Sequence, residues 1–189
     1  VLHAKGAPEI ILARCTRKHT PQGLISLEAS DRDAITQALK EYQGRGMRTL
    51  AFAYHEAPTL NSDMDIEHLA QGMVWLGFAA IADPVRVEVP GAIQACRRAG
   101  VGVKIVTGDN DLVARKICRE VGLSTEHVLL GNDVESMTEE QLADSAETTT
   151  LFARVSPLHK QRIVKALRAR QPLLGFTGDG ITDAPPLRA

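Results

Sequence analysis

The chain has 189 residues, 44% of them hydrophobic, with 22 Lys and Arg against 23 Asp and Glu. That is enough apolar material for a sizeable core in one or two domains, while a net charge of -1 offers no basic surface for nucleic acid or anionic lipid. The three cysteines, Cys15, Cys96 and Cys118, are far apart and odd in number, which fits small apolar thiols in a reducing compartment and excludes a disulfide framework or zinc site. The longest uncharged apolar stretch, Met73 to Ala82, is about half of the roughly 20 residues that a membrane-spanning helix needs. No signal peptide precedes Lys5-Gly6, and a start on Val1 rather than Met points to a piece of something longer.

Val1-Leu2-His3-Ala4 reads as a short strand, broken by Lys5-Gly6-Ala7-Pro8. Pro8 suits the first position of a short helix over Glu9 to Cys15. Thr16 to Ser26, with Pro21 and Gly23, reads as a loop or weak hairpin. Ser30 and Asp33 resemble a capping box, opening a helix with Ala34, Ile35, Ala38, Leu39 and Tyr42 at helical spacing. Gly44 and Gly46 stop it, and Arg48 to Tyr54 then alternates as a half-buried strand does. This first unit reads as a small α+β module.

Residues His55 to Gly72 are polar and turn-rich and form the expected boundary, dividing the chain into residues 1–72 and 73–189. Asp63-Met64-Asp65 within it has paired-carboxylate spacing, but no apolar strand precedes it, so a solvated loop is the better reading. Beyond lies an alternation of strands (Met73 to Ile81, Gly102 to Val106, Val128 to Leu130, Leu151 to Val155, Leu173 to Phe176) with helices (Val87 to Ala99, Asp111 to Val121, a short acidic one opened by the Thr138–Gln141 capping box, Pro157 to Arg168). Such alternation implies parallel pairing with right-handed crossovers, hence an α/β doubly wound sheet.

Two strands of this half run into the same tripeptide, Thr107-Gly108-Asp109 and Thr177-Gly178-Asp179. Each offers a hydroxyl, backbone N–H groups and a carboxylate, the parts needed to hold a phosphoryl group and its metal. On one sheet edge, the two loops would face one pocket. Lys160, in the first turn of the helix before the last strand, is either part of a solvated basic face or a point charge beside phosphate. The closing stretch, Gly175 to Leu187, puts Asp179 and Asp183 in a glycine-rich loop ended by Pro185 and Pro186. Carboxylates there suit a hard cation such as Mg2+; a plain Gly, Asp and Pro surface turn is the alternative.

Thr177-Gly178-Asp179-Gly180-Ile181-Thr182-Asp183-Ala184-Pro185 resembles the hinge motif of the P-type cation-transporting ATPases. Other marks of that family follow its order: Lys5-Gly6-Ala7, Gly46-Met47-Arg48-Thr49-Leu50-Ala51, Asp83-Pro84-Val85-Arg86, Thr107-Gly108-Asp109, and Phe152-Ala153-Arg154-Val155-Ser156-Pro157 with Lys160. The resemblance implies a haloacid-dehalogenase-like phosphorylation domain over 73–189 without its first strand, preceded by the last part of a nucleotide-binding domain over 1–72. ATP and Mg2+ are the implied cofactors. Lys5, Gly6, Ala7 and Arg48 would line the ATP pocket. Thr107, Gly108 and Asp109 would form the phosphate-side loop, with Thr182 near it and Lys160 neutralising the phosphoryl group. Asp179 would bind Mg2+, supported by Asp183.

The family carries Asn at the position of Thr182 and Ala at that of Pro186. Threonine lacks the amide's reach and second donor, and Pro186 removes an N–H. The family also phosphorylates an aspartate in Asp-Lys-Thr-Gly-Thr, a string that does not occur here. The implied protein is therefore a stretch from the cytoplasmic face of a membrane pump, inactive by itself, whose parent moves a cation through helices outside this sequence. Asp83 to Asp109 looks most like the Ca2+ pumps and Lys116 to Leu123 closer to the Mg2+ transporters, with Ca2+ the expected ion. The missing strand would leave open sheet edges that invite strand exchange between copies. A non-catalytic nucleotide-binding or regulatory module and a soluble haloacid-dehalogenase-like phosphatase are the alternatives.

Overall fold

A computed structural model describes residues 1–56, 71–171 and 173–178. They fall into two compact units, residues 1–83 and 84–189. Asp63-Met64-Asp65 lies outside the described residues.

The first unit contains β1 (Leu2–Gly6), α1 (Pro8–Ala13), β2 (Cys15–Thr20), β3 (Gly23–Ser26), α2 (Ala29–Gly44), β4 (Arg48–His55) and β5 (Met73–Ile81). Its sheet has the order β1-β4-β5-β2-β3, antiparallel at every step except the parallel β5–β2 pair. Pro21 and a left-handed Gly23 (φ 118°) turn the β2–β3 hairpin, a conformation glycine adopts without steric penalty. Along β4 the alternation works as expected: Ala51 and Ala53 are fully buried, packing with Ile11, Leu12, Cys15, Met73 and Trp75. Arg32 of α2 ties these layers together, donating to the Leu12 carbonyl at 2.8 Å and to that of Cys15.

Several details differ from the sequence reading. The first strand does not break at Lys5-Gly6 but continues through both, because each has a cross-strand partner in β4. The cap of α2 is set by Asp31, whose carboxylate accepts from the Glu28 amide at 3.1 Å, rather than by Ser30 and Asp33. Lys18 pairs with the same carboxylate, and its hydrogen bond, followed by that of the Glu28 amide, lowers the Asp31 pKa. Met73–Ile81 is a strand over the expected residues but sits in the middle of the first sheet, so the units meet at Asp83 and Pro84 rather than after residue 72. A continuous apolar run signals burial on both faces without saying which strands flank it.

The second unit contains α3 (Val89–Arg98), β6 (Ile105–Val106), α4 (Asp111–Glu120), β7 (Val128–Leu130), α5 (Gly131–Ser136), α6 (Glu139–Thr148), β8 (Leu151–Ala153) and α7 (Pro157–Arg170). Its sheet is parallel throughout, in the order β6-β8-β7. Successive residues of β8 point to opposite faces. Phe152 joins Val134, Leu142, Ile163 and Leu167 from α5, α6 and α7. Leu151 and Ala153 join Ala114 and Cys118 of α4. Helices thus cover both faces of the sheet.

Helix α5 follows β7 directly, where the sequence reading placed no element; Asp133 starts the helix by accepting from the Leu130 amide at 2.8 Å. The strand expected from Gly102 is reduced to Ile105–Val106, and Lys104 beside it donates to the Glu147 and Thr149 carbonyls at the end of α6 at 2.8 and 2.7 Å. The expected last strand is absent. Leu173–Phe176 is not paired to the sheet, and Leu173 is 94% exposed. Strand propensity alone does not hold a segment extended; it needs a ladder partner, and this one has none among the described residues. No helix among the described residues is long and apolar enough to cross a membrane.

Candidate functional site

In the first unit, Lys5 and Gly6 end β1 and Arg48 begins β4. The strands run antiparallel with Lys5 opposite Phe52 and Gly6 opposite Ala51, so all three residues gather at one end of the sheet. Arg48 is four residues from Phe52, about 13 Å along the strand. Because Ala51 and Ala53 face the helices, alternation sends Arg48, Phe52 and Tyr54 to the other face, and cross-strand pairing puts Lys5 there too. Ala7 follows as the residue that leads into α1, whose Pro8 occupies the first turn.

Both Lys5 and Arg48 are exposed. Tyr54 lies on the same face between His3 and His19, each ring 6.4 Å from it. That face is cationic at one end and aromatic along its middle, a surface able to contact an anionic ligand carrying a flat ring. Sequence reasoning singled out Lys5 and Arg48 but passed over Phe52 and Tyr54. The period of two along Arg48–His55 was the signal that could have found them.

In the second unit, parallel pairing brings the carboxyl ends of β6 and β8 to one edge. The first leads into Thr107-Gly108-Asp109 and the second into Arg154-Val155-Ser156 and then α7. Backbone bonds stitch these loops together: the Thr107 amide donates to the Phe152 carbonyl (2.9 Å), the Val155 amide to that of Thr107 (3.2 Å), and the Arg154 amide to that of Asp109 (3.0 Å). The Asp109 amide donates to the Thr107 hydroxyl at 3.1 Å. Asn110 caps α4, its side chain accepting from the Leu112 amide at 2.9 Å.

Gly108 is exposed at the turn, and a side chain there would press its Cβ to 3.3 Å from the Val155 carbonyl oxygen. Ser156 caps α7 by accepting from the His159 amide at 3.2 Å, and the Lys160 amide donates to the Ser156 carbonyl at 3.0 Å. Lys160 therefore stands, half-buried, in the first turn of the helix that rises from this edge.

The expected constellation is thus partly assembled. Thr107, Gly108, Asp109 and Lys160 share the carboxyl edge of the parallel sheet. Thr177 and Gly178 are described but do not end a strand of it. Asp179, Thr182, Asp183 and Pro186 lie outside the described residues.

Residues 1–88 match the family described as P-type ATPase, cytoplasmic domain N, and the chain belongs to the P-type ATPases. It is 37% identical, over its whole length, to the magnesium-transporting ATPase, P-type 1, of Escherichia coli K12. Over 97% of its length it is 34% identical to calcium-transporting ATPase 1 of Bacillus cereus, and over its whole length 36% identical to the probable cation-transporting ATPase F of Mycobacterium bovis. The chain spans 21% of the length of each of these relatives.

Proposed function

We propose that this chain supplies ATP-contacting and phosphate-stabilising parts of a cation pump that works through an aspartyl-phosphate. The observation that carries the reading is the gathering of the Thr107-Gly108 loop and the Lys160 helix turn at one sheet edge. The Thr107 hydroxyl and the exposed turn at Gly108, with a lysine beside them, make a set fitted to phosphoryl oxygens and to the charge they carry during in-line transfer. Asp109 borders that set. In the first unit, Lys5 and Arg48 on the sheet face opposite α1 and α2 would hold the ATP phosphates, with Gly6 and Ala7 letting the ligand approach the backbone.

The phosphorylation unit is read as haloacid-dehalogenase-like, which its parallel sheet with helices on both faces supports. Mg2+ would be held by Asp179 with Asp183 behind it, neutralising charge on the transferred group; Thr182 would sit in the same loop. The cargo is read as a divalent cation. The resemblance of Asp83 to Asp109 favours Ca2+, while relatives named as magnesium- and calcium-transporting ATPases match this chain at 37% and 34%. The site works at the cytoplasmic face of the membrane. In an isolated chain, strand exchange through the edge of β6 that has no strand partner among the described residues accompanies this reading.

The test is made in the full-length parent with radiolabelled ATP. Acid-stable, hydroxylamine-sensitive phosphoprotein is expected. Thr107→Ala and Lys160→Ala should each slow its turnover at least tenfold, a loss of about 1.4 kcal/mol or more in transition-state stabilisation. Turnover unchanged in both variants would remove the phosphate role from this edge.

A further inference from the structure

Arg154 is the one non-glycine residue with positive φ among the described residues, at 55°. An L-residue with a long side chain is held in this left-handed region only when its surroundings over-determine it, and such positions cluster where a site must be set in place. Among the described residues, neighbours constrain its amide, its guanidinium and its carbonyl. Its amide donates to the Asp109 carbonyl at 3.0 Å. Its guanidinium Nε donates to Asp111 Oδ1 at 2.9 Å, forming an ion pair between residues 43 apart in sequence. Its carbonyl oxygen sits where a Cβ on the neighbouring Gly131 would collide with it, so glycine is required at 131.

The turn at Arg154 redirects the chain after β8 so that the next amide, that of Val155, meets the Thr107 carbonyl. Without it the two loops at the carboxyl edge would lose two of their backbone links together. Asp111 opens α4, where a carboxylate already complements the helix N-terminus. A carboxylate serving only that purpose needs no arginine from the turn after β8. With Asp111 only 22% exposed, the arginine is directed at it across the loop.

We propose that the Arg154–Asp111 pair is a latch that positions the Thr107-Gly108 loop, both residues acting as positioning residues through that loop. The inference rests on reading the loop as phosphate-facing, and its test is independent of that reading. Amide hydrogen exchange is followed by NMR on the 189-residue chain. Asp111→Asn should speed exchange at Gly108, Asp109, Arg154 and Val155 about fivefold, the upper range for a partly exposed ion pair, and leave the interior amides of α6 unmoved. Asp111→Glu, which keeps the charge, should restore rates to within twofold.

Arg154→Gly separates the two ingredients, since glycine accepts the backbone shape without the charge. It should loosen the same amides without lowering the thermal midpoint. Rates within twofold of wild type in Asp111→Asn, or an equal acceleration in α6, would overturn the latch. If Thr107→Ala leaves phosphoprotein turnover in the parent unchanged, the phosphate reading falls while the exchange result stands by itself.

Discussion

The two units solve the same folding problem with different sheets. The first completes five strands from hairpins and an apolar central strand, largely through antiparallel pairs, and buries one face under α1 and α2. The second has three parallel strands of two or three residues, covered on both faces, with one edge of β6 lacking a strand partner among the described residues. An antiparallel neighbour can be supplied by a short turn, whereas a parallel one arrives only by a crossover, so its place in the sheet depends on distant sequence. That is why Leu173–Phe176, apolar and well suited to a strand, stays off the sheet.

The contrast predicts where damage will be largest. Phe152→Ala should be the most severe single change, because this fully buried ring lies at the centre of the three-stranded sheet. Truncating a buried phenylalanine typically costs about 3–5 kcal/mol. Trp75, the single tryptophan, is buried in the first unit and so reports on that unit alone. The expected result is an early transition in far-UV circular dichroism with the Trp75 fluorescence transition in place. A shift of both together would show that the units do not melt separately.

A smaller effect is expected at the two arginines that tie helices to their units. Arg162 donates to the Val134 and Met137 carbonyls and to Glu139, each at 2.7 Å; Arg32 plays the matching part in the first unit. Arg162→Ala and Arg32→Ala should each cost about 2 kcal/mol, mostly from carbonyls left without donors. Urea titrations should place the loss for Arg32 in the Trp75 signal and that for Arg162 outside it. The opposite assignment would break the comparison.

The smallest effect is a pH dependence read through the first unit's probe. Burial pushes the Cys15 thiol up to about 11 from its ordinary value of 9.0, opposed by the nearby Arg32 charge. A raised pKa in the folded state means stability present below pH 9.0 and lost as the pH climbs through about 11. The Trp75 midpoint should fall across that window, and Cys15→Ala should flatten the fall. An identical slope in the variant would remove Cys15 as its cause.

What the sequence disclosed follows the range of the interactions involved. Val128–Leu130 and Met73–Ile81 form strands over the expected residues, and the Thr138–Gln141 capping box forms as read, all decided by residues within a few positions of one another. Membership of Met73–Ile81 in the first sheet was not legible, because an apolar strand does not name its neighbours. Nor was the loss of the last strand, which propensity favours and pairing denies. At the candidate site, Thr-Gly-Asp after an apolar strand marked the loop at Thr107 correctly as following β6. The left-handed turn at Arg154 that holds this loop has no local signal, since it is imposed by Gly131, Asp109 and Asp111 from elsewhere in the chain.

The central claim is that the first unit offers nucleotide contacts and the second a phosphate-side edge. Titrating the isotopically labelled chain with Mg-ATP and mapping amide shifts by NMR tests it most directly. Shifts are expected at Lys5, Gly6, Ala7 and Arg48, with a Kd in the millimolar range because the chain covers only 21% of its relatives' length. Lys5→Ala with Arg48→Ala should abolish them. Micromolar affinity, or shifts that avoid the Lys5–Arg48 end of the sheet altogether, would contradict the account.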